Sequence, residues 1–133
     1  MKQVIAKLKQ LLEAAGLVVY LGEADPGAAY PYVVLWFSPG QPGIESAVAS
    51  DTDFSDLLGV TMSHTSALNA LVLSGKVRPV LDGASFTTAA GMRTTLALTL
   101  SQTVQPDRDV TLPETNRHPF YAVDRYQVVA TAA

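Results

Sequence analysis

The segment 57–81 changes its hydrophobic period partway along, and this change constrains the fold more than any other feature of the chain. Its first part alternates as a β-strand does, with Leu58, Val60 and Met62 on one side. Its second part has apolar residues three or four positions apart, which is the spacing of a helix. The segment therefore predicts a strand, a tight turn and an amphipathic helix in direct succession.

The predicted helix begins at a pair of hydroxyl residues. Thr65 and Ser66 lie at the turn, where a side-chain oxygen accepts a hydrogen bond from a first-turn N–H group. Pro79 lies in the last turns, so it is expected either to kink the helix or to lie in a loosened end. The helical spacing places Leu68, Leu71, Val72 and Gly75 on one apolar side of the helix, and Val77, Val80 and Leu81 continue the supply of apolar residues.

The rest of the chain supplies one more helix and several strands. Residues 1–15 carry apolar side chains at helical spacing, and Gly16 is a natural helix terminator. Further strands are predicted at 17–21, 32–37, 92–101 and 120–130, with a short one at 84–88. This order predicts one α+β domain spanning residues 1–133. Its sheet is expected to be mixed, mostly antiparallel and of about five strands, with two helices packed on one face.

Two of these strands have unusual patterns. Residues 32–37 are apolar on both faces, so this strand is expected either to be covered on both sides or to line an interface. Ordinary core packing of Trp36 and its neighbours is the simpler alternative. In the last strand the apolar parity slips between Val123 and Tyr126. That slip predicts a bulge near residues 124 and 125, or burial of both faces.

Two long segments rich in turn-forming residues separate the predicted strands. Residues 38–55 begin with prolines and glycines, and an acidic cluster formed by Asp51, Asp53 and Asp56 marks the end of this segment. Residues 102–119 contain three prolines and charges of both signs. Loops this long in a compact domain are usually functional or mobile. Both are expected to be mobile in the free protein, and at least one is expected to become ordered on docking.

The composition argues against several classes of function. A net charge of −3 provides no basic field for nucleic acid, and the absence of cysteine removes thiolate metal sites and thiol nucleophiles. No apolar run approaches the roughly 20 residues of a membrane helix. Lys7, Lys9 and Glu13 interrupt the region where a signal peptide would be apolar. Charged residues are only 16% of the chain, which indicates that part of the surface does not face water.

No catalytic or metal-binding constellation is evident in the sequence. His64 and His118 stand apart from any second ligand at a defined spacing. The acidic cluster at residues 51–56 lacks the central glycine and closing glutamate of a calcium loop, so a solvated acidic loop is the preferred interpretation. Neither a phosphate-binding glycine pattern nor a serine-nucleophile motif is present. The sequence therefore predicts a protein that is not an enzyme and needs no cofactor or metal.

Several segments, taken in order, resemble the tail terminator proteins of phages with long non-contractile tails. The first are AAGLVVYLG at 14–22 and PYVVLWF at 31–37. The strand-to-helix unit LLGVTMSHTSALNALVLSGKVRPVLDG at 57–83 follows. PDRDVTLPE at 106–114 and HPFYAVDRYQVVATAA at 118–133 then form a polar loop returning into an aromatic last strand. The resemblance covers most of the chain as an order of elements.

The resemblance implies a structural virion protein rather than an enzyme. Members of this family form rings, usually hexamers, on the head-proximal end of the tail tube in the neck region. The implied partners are further copies of the chain, the major tail tube protein and the head–tail connector, without nucleic acid or membrane. Within this interpretation the expected interface residues are Tyr32, Val34, Trp36, Asp51, Asp53, Asp56, Asp107, Arg108, Asp109 and Arg117. The acidic segment 51–56 and the loop 107–117 are candidates for the two ring faces.

Two alternative functions remain open at the level of sequence. A head-completion or minor capsid protein of the neck would have a similar small α+β domain, but would bind the portal or adaptor instead of the tube protein. A small-molecule binding module would need a pocket with convergent polar groups, and the sequence points to none.

Overall fold

Two helices and seven strands make up the part of the chain that the computed structural model describes, which is residues 2–37, 54–89 and 91–132. The helices are α1 (Lys2–Ala14) and α2 (Ala67–Leu81). The strands are β1 (Val19–Leu21), β2 (Tyr32–Phe37), β3 (Phe54–His64), β4 (Ser85–Thr87), β5 (Met92–Ser101), β6 (Gln105–Pro106) and β7 (Phe120–Ala132).

All seven strands belong to one sheet with the order β1-β2-β3-β7-β5-β4, and β6 pairs with β7 beyond the end of β5. Only β1 and β2 run parallel among the described pairs. The predicted α+β class and mostly antiparallel sheet are therefore confirmed. The strand number is higher than the predicted five or so because the short strand predicted at 84–88 does form, as β4, and a further short strand, β6, joins β7.

The long strands β3 and β7 form the centre of the sheet, paired without a break from Phe54↔Ala130 to His64↔Phe120. β3 begins three residues before the predicted strand, so the end of the predicted loop 38–55 is part of the sheet. Asp56 is consequently a strand residue opposite Val128. Asp51 and Asp53 lie outside the described residues.

Alternate strand positions and one side of each helix form a single buried cluster. β2 contributes Val33 and Leu35, and β3 contributes Leu58, Val60 and Met62. The helices contribute the following side chains: Val4, Leu8 and Leu12 from α1, and Leu73, Val77 and Leu81 from α2. The strand positions between these residues point away from the cluster, because successive side chains of a strand alternate.

The apolar side of α2 that the helical spacing identifies is not the side that packs on the core. Leu68, Leu71 and Val72 are 70%, 57% and 51% exposed. Ser66 caps the helix as predicted, since its hydroxyl accepts a hydrogen bond from the N–H of Asn69 at 3.2 Å. The buried side is instead formed by Ala70, Leu73, Ser74, Val77 and Leu81.

The helix carries apolar residues on two opposite sides, and an ion pair to the sheet accompanies the side that is buried. At 100° per residue the two apolar stripes lie about half a turn apart. Arg78, at the edge of the buried stripe, forms an ion pair with Asp124 of β7. Burying the other stripe would turn Arg78 away from this carboxylate, leaving a buried charge without compensation.

The parity slip in β7 arises because Asp124, the partner of Arg78, occupies a core-facing position of the strand. Even-numbered residues from Ala122 to Ala130 are all buried, so the strand alternates regularly and Asp124 occupies a core-facing position. The predicted bulge exists at this level of the sheet, but in the neighbouring strand. The register of β5 shifts between Leu98 and Leu100. The hydroxyl of Thr99 there donates a hydrogen bond of 3.0 Å to the Arg125 carbonyl.

Candidate partner interface

Three predicted interface residues lie together on the side of β2 that points away from the buried cluster. Tyr32, Val34 and Trp36 alternate with Val33 and Leu35 of the cluster; Tyr32 and Trp36 are half-buried, and Val34 is 8% exposed. Across the sheet they are in register with residues of β3, and Ser63 is in turn opposite Tyr121 of β7. We refer to this surface, formed by Tyr32, Val34, Trp36, Thr61, Ser63 and Tyr121, as the aromatic face.

Trp36 lies flat on the sheet because its cross-strand partner is a glycine. A Cβ atom built on Gly59 would lie 1.9 Å from Cε2 of the indole, so no other residue fits beneath the ring. The indole Nε1–H donates to the Thr61 hydroxyl at 3.2 Å. The Arg125 guanidinium carbon is 5.7 Å from the ring centroid, within range of a cation–π interaction. These contacts fix the indole as part of the surface.

Two further tyrosines extend the aromatic face at one end. The Tyr32 ring packs edge-on against Tyr20 at 5.8 Å and lies 5.1 Å from the Tyr30 ring. Burial raises the pKa of Tyr30 to about 12, and the neighbouring Tyr32 and Asp107 add to this effect because a phenolate there would be close to other acidic groups. Tyr30 therefore remains a neutral hydroxyl at physiological pH.

An open depression of about 390 Å³ lies over the aromatic face. Its lining includes Tyr32, Trp36 and Thr61 together with the acidic residues Glu23 and Asp107. The surface thus combines aromatic rings, hydroxyl groups, two carboxylates and the Arg125 guanidinium that lies over the indole. An arrangement of this kind suits a partner that presents apolar side chains beside a cationic group.

The predicted charged residues do not form one site. Asp107 belongs to the depression, whereas Arg108 and Asp109 are exposed beside it in the chain. Arg117 lines a separate cavity of about 790 Å³ together with Tyr30, Ser66 and Leu112. The expectation that Asp56 belongs to a solvated acidic loop is wrong: Asp56 is 2% exposed in β3, and its Oδ1 accepts the Leu57 N–H at 2.9 Å.

The predicted loop 102–119 contains regular hydrogen bonding. β6 pairs with the start of β7, and the Asp107 N–H donates to the Pro119 carbonyl at 2.8 Å. A turn farther along is closed by the bond from the Leu112 N–H to the Arg117 carbonyl at 2.7 Å. His118 Nδ1 lies 2.6 Å from the Val110 carbonyl oxygen. The charged side chains of this segment are therefore presented from a hydrogen-bonded framework.

A buried polar group near the end of α2 was not anticipated from the sequence. Arg78 donates two hydrogen bonds to the Asp124 carboxylate, from Nε to Oδ2 at 2.8 Å and from Nη2 to Oδ1 at 3.0 Å. The Arg78 guanidinium also contacts the Ser101 hydroxyl. The hydrogen bond with Asp124 raises the pKa of Arg78. The parity slip at Asp124 was the sequence signal for this pair, because a charged residue at a core position requires a partner.

Within the described ranges no group of three or more His, Asp and Glu side chains is placed to hold a metal ion. In the same part of the chain no helix is both long and apolar enough to cross a membrane.

Comparison with known proteins shows the fold alone. No family model matches the chain, and no curated protein matches it. Solved structures do match: one aligns with 96% of this chain and 88% of its own, with a TM-score of 0.53 and 13% sequence identity. At that identity the likeness supports the α+β architecture, and nothing about function follows from it.

Proposed function

We propose that this chain is a structural virion subunit, a tail terminator that forms a ring on the head-proximal end of a long non-contractile tail tube. The ring stops growth of the tube and joins the tail to the head connector. The proposal combines the sequence resemblance with one structural observation: the domain presents apolar surface on two sides at once.

That observation carries the proposal because a ring subunit needs two contact surfaces. Both helices contribute side chains to the buried cluster, and the aromatic face points away from that cluster. Tyr32 and Trp36 are half-buried on the aromatic face, while Leu68, Leu71 and Val72 are exposed on α2. A low charged fraction of 16% is consistent with surfaces that become covered.

Termination requires a ring with unlike upper and lower surfaces. A stack of identical rings has no internal stop, since each ring recreates the surface that the next one binds. A terminator has one face complementary to the tube and another that refuses a further tube subunit. The charged loop with Asp107, Arg108, Asp109 and Arg117 is the candidate for one face. For the other, Asp51 and Asp53 remain, because the burial of Asp56 removes it from the surface.

Deleting the gene from its phage tests the role directly. Electron microscopy of the lysate should show overlong tubes, unattached tails, or both, and expression of the wild-type chain from a plasmid should restore normal particles. Tails of normal length joined to heads would refute the proposal.

Pull-down with isolated proteins separates the terminator from the head-completion alternative. A terminator binds tails assembled from the major tail protein, whereas a head-completion protein binds portal or adaptor in the absence of tails. Binding to portal alone would favour the alternative.

A further inference from the structure

The exposed apolar stripe of α2 is continuous and lies opposite the buried side of the helix. We call it the outer stripe; its members are Leu68, Leu71, Val72, Gly75 and Pro79, all of them exposed. Leu68, Leu71 and Val72 are among the most exposed large apolar side chains of the described residues. Apolar surface of this kind concentrated on one helix side is typical of a contact surface.

Gly75 in the middle of this stripe has no role in the packing of the chain itself. A Cβ atom built there would meet no atom within 4 Å among the described residues, and no positive φ requires a glycine. A glycine in a helix interior destabilises the helix relative to alanine. Pro79, four residues later, supplies no N–H for the Gly75 carbonyl. The missing side chain at Gly75 leaves room for another molecule to approach the helix backbone, and the Gly75 carbonyl lacks the usual hydrogen bond from within the helix.

The charges around the outer stripe identify what kind of surface it fits. α2 contains no acidic residue, and Lys76 is exposed beside the stripe. Two α2 helices packed symmetrically through Gly75 would bring their Lys76 side chains together. The aromatic face instead offers apolar rings, with the carboxylates of Glu23 and Asp107 lining the same depression. It therefore matches the outer stripe in polarity, and its two carboxylates outnumber the single Arg125 guanidinium over Trp36, so its net charge is opposite to that of Lys76.

We propose that the outer stripe of α2 binds the aromatic face of a second copy of this chain, with Lys76 facing the carboxylates of Glu23 and Asp107. The two surfaces lie on opposite sides of the domain, because α2 packs on the buried cluster and the aromatic face points away from it. The contact is therefore heterologous: every subunit offers both surfaces, and successive contacts form a ring when the rotation between neighbours closes and an open filament when it does not. The inference deepens the proposed function and rests on it for the closure into a ring.

Cysteine cross-linking tests this geometry, and the native chain contains no cysteine that could interfere. Leu71→Cys places a thiol on the outer stripe, and Ala24→Cys places one in the depression over the aromatic face. Under mild oxidation, a mixture of the two variants should give a disulfide-linked dimer, and neither variant alone should. Self-cross-linking of Leu71→Cys would instead indicate symmetric helix pairing, and no cross-link in the mixture would overturn the proposal.

Two valines of equal exposure provide a matched pair for measuring the contact. Val72 is 51% exposed on the outer stripe, and Val18 is 52% exposed at the β1 edge. Val72→Lys should weaken self-association in sedimentation equilibrium by about tenfold or more, a change of roughly 1.4 kcal/mol. Val18→Lys should leave it unchanged. Loss with Val18→Lys alone would indicate pairing through the sheet edge and contradict the proposal.

Charge reversal tests the proposed partner groups. Lys76→Glu alone, or Glu23→Lys with Asp107→Lys, should weaken association, and combining all three changes should restore it. Failure of the combined variant to recover would contradict the pairing, provided that circular dichroism shows each variant folded. These measurements need no tail component. If the cross-link fails but deletion of the gene gives overlong tubes or unattached tails, only this contact is rejected. If the cross-link forms but deletion leaves normal tails joined to heads, only the terminator role is rejected.

Discussion

Arg78 of α2 and Asp124 of β7 are joined by two hydrogen bonds of 2.8 and 3.0 Å across 46 positions of the chain. The two ends of this pair differ in solvent exposure: the Asp124 side chain is fully buried, whereas 41% of the Arg78 side chain is exposed. The pair joins the last turn of α2 to the centre of the sheet. Its position matches the side of α2 that is buried, and the outer stripe lies on the other side.

Removing either member of this pair should have unequal effects. Arg78→Met leaves the Asp124 carboxylate buried without a counter-charge, and it should lower the free energy of unfolding by about 3–5 kcal/mol. Asp124→Asn leaves an arginine that still reaches water, and its cost should be about 1.5–3 kcal/mol. Urea unfolding followed by circular dichroism measures both. Equal losses of unfolding free energy in the two variants would contradict the unequal burial of Arg78 and Asp124.

The combination of Arg78→Met with Asp124→Leu is the control for this experiment. Replacing both members of a buried ion pair by apolar residues is often neutral or stabilising. The double variant should therefore be more stable than Arg78→Met alone. A double variant as unstable as Arg78→Met would show that the cost comes from lost packing and not from the unpaired carboxylate.

The Tyr126 hydroxyl is buried and has no hydrogen-bond partner among the described residues. The pKa of Tyr126 is raised, first by burial and then by the nearby Asp124 carboxylate. Because the hydroxyl was desolvated without a compensating bond, Tyr126→Phe should raise the free energy of unfolding by about 1 kcal/mol. The matched change Tyr121→Phe on the aromatic face should alter it by less than about 0.5 kcal/mol. Destabilisation by Tyr126→Phe would mean that the hydroxyl is hydrogen-bonded in solution.

The spacing of apolar residues along the chain predicted the helices and strands of this fold well. The bounds of α2 and β5 follow from their spacing, and Ser66 was recognisable as the helix cap. The aromatic face was also recognisable in part, because the apolar residues of 32–37 occupy both parities. The same criterion failed for α2, where two opposite stripes satisfy the same helical spacing. The pair between Arg78 and Asp124 distinguishes them in the structure, and although the parity slip marks Asp124 as a core charge, the helical spacing of α2 does not identify Arg78 as its partner.

The other differences between prediction and structure also depend on distant residues. β6 has two residues, and its pairing with β7 could not be read from so short a segment. Asp56 occupies the core-facing parity of β3 at a position that looked like the end of an acidic loop. Gly59 appeared to be an ordinary strand position. Its role is visible only beside Trp36, which lies 23 residues earlier in the chain and directly opposite in the sheet.

Two glycines with opposite environments allow a further test of the two proposed surfaces. Gly59→Ala places a Cβ within 1.9 Å of the Trp36 ring, so it should displace the indole and cost about 1–3 kcal/mol. The Trp36 fluorescence should shift, and because Trp36 is the single tryptophan of the chain, the signal is unambiguous. An unchanged spectrum and stability would show that the indole does not lie over Gly59.

Gly75→Ala is the matched change on α2, where a Cβ meets nothing within 4 Å. It should stabilise the isolated domain by about 0.5–1 kcal/mol through helix propensity alone. The same substitution should weaken self-association, since the added methyl group lies at the proposed contact. Stabilisation without weaker association would show that Gly75 is not part of the interface.

His64 should make stability depend on pH below neutrality. Its Nδ1 accepts a hydrogen bond from the Thr65 N–H at 2.8 Å, so the neutral ring carries its proton on Nε2. Protonation would place a second donor against that N–H group. Burial and the nearby Lys76 both lower the pKa of His64 below its ordinary value of 6.5. A lowered pKa means that the fold favours the neutral ring. This contribution to stability is therefore present above pH 6.5 and is lost as the pH falls through the lowered value.

His64→Asn keeps a side-chain acceptor near Thr65 but removes the titration. Between pH 7.5 and pH 5 the wild-type protein should lose more free energy of unfolding than this variant, as measured by urea unfolding at both pH values. His118 is present in both proteins, so its contribution cancels in the comparison. If the two proteins lost equal stability over this interval, the neutral His64 ring would not be favoured by the fold, and the hydrogen bond from Thr65 would not persist in solution.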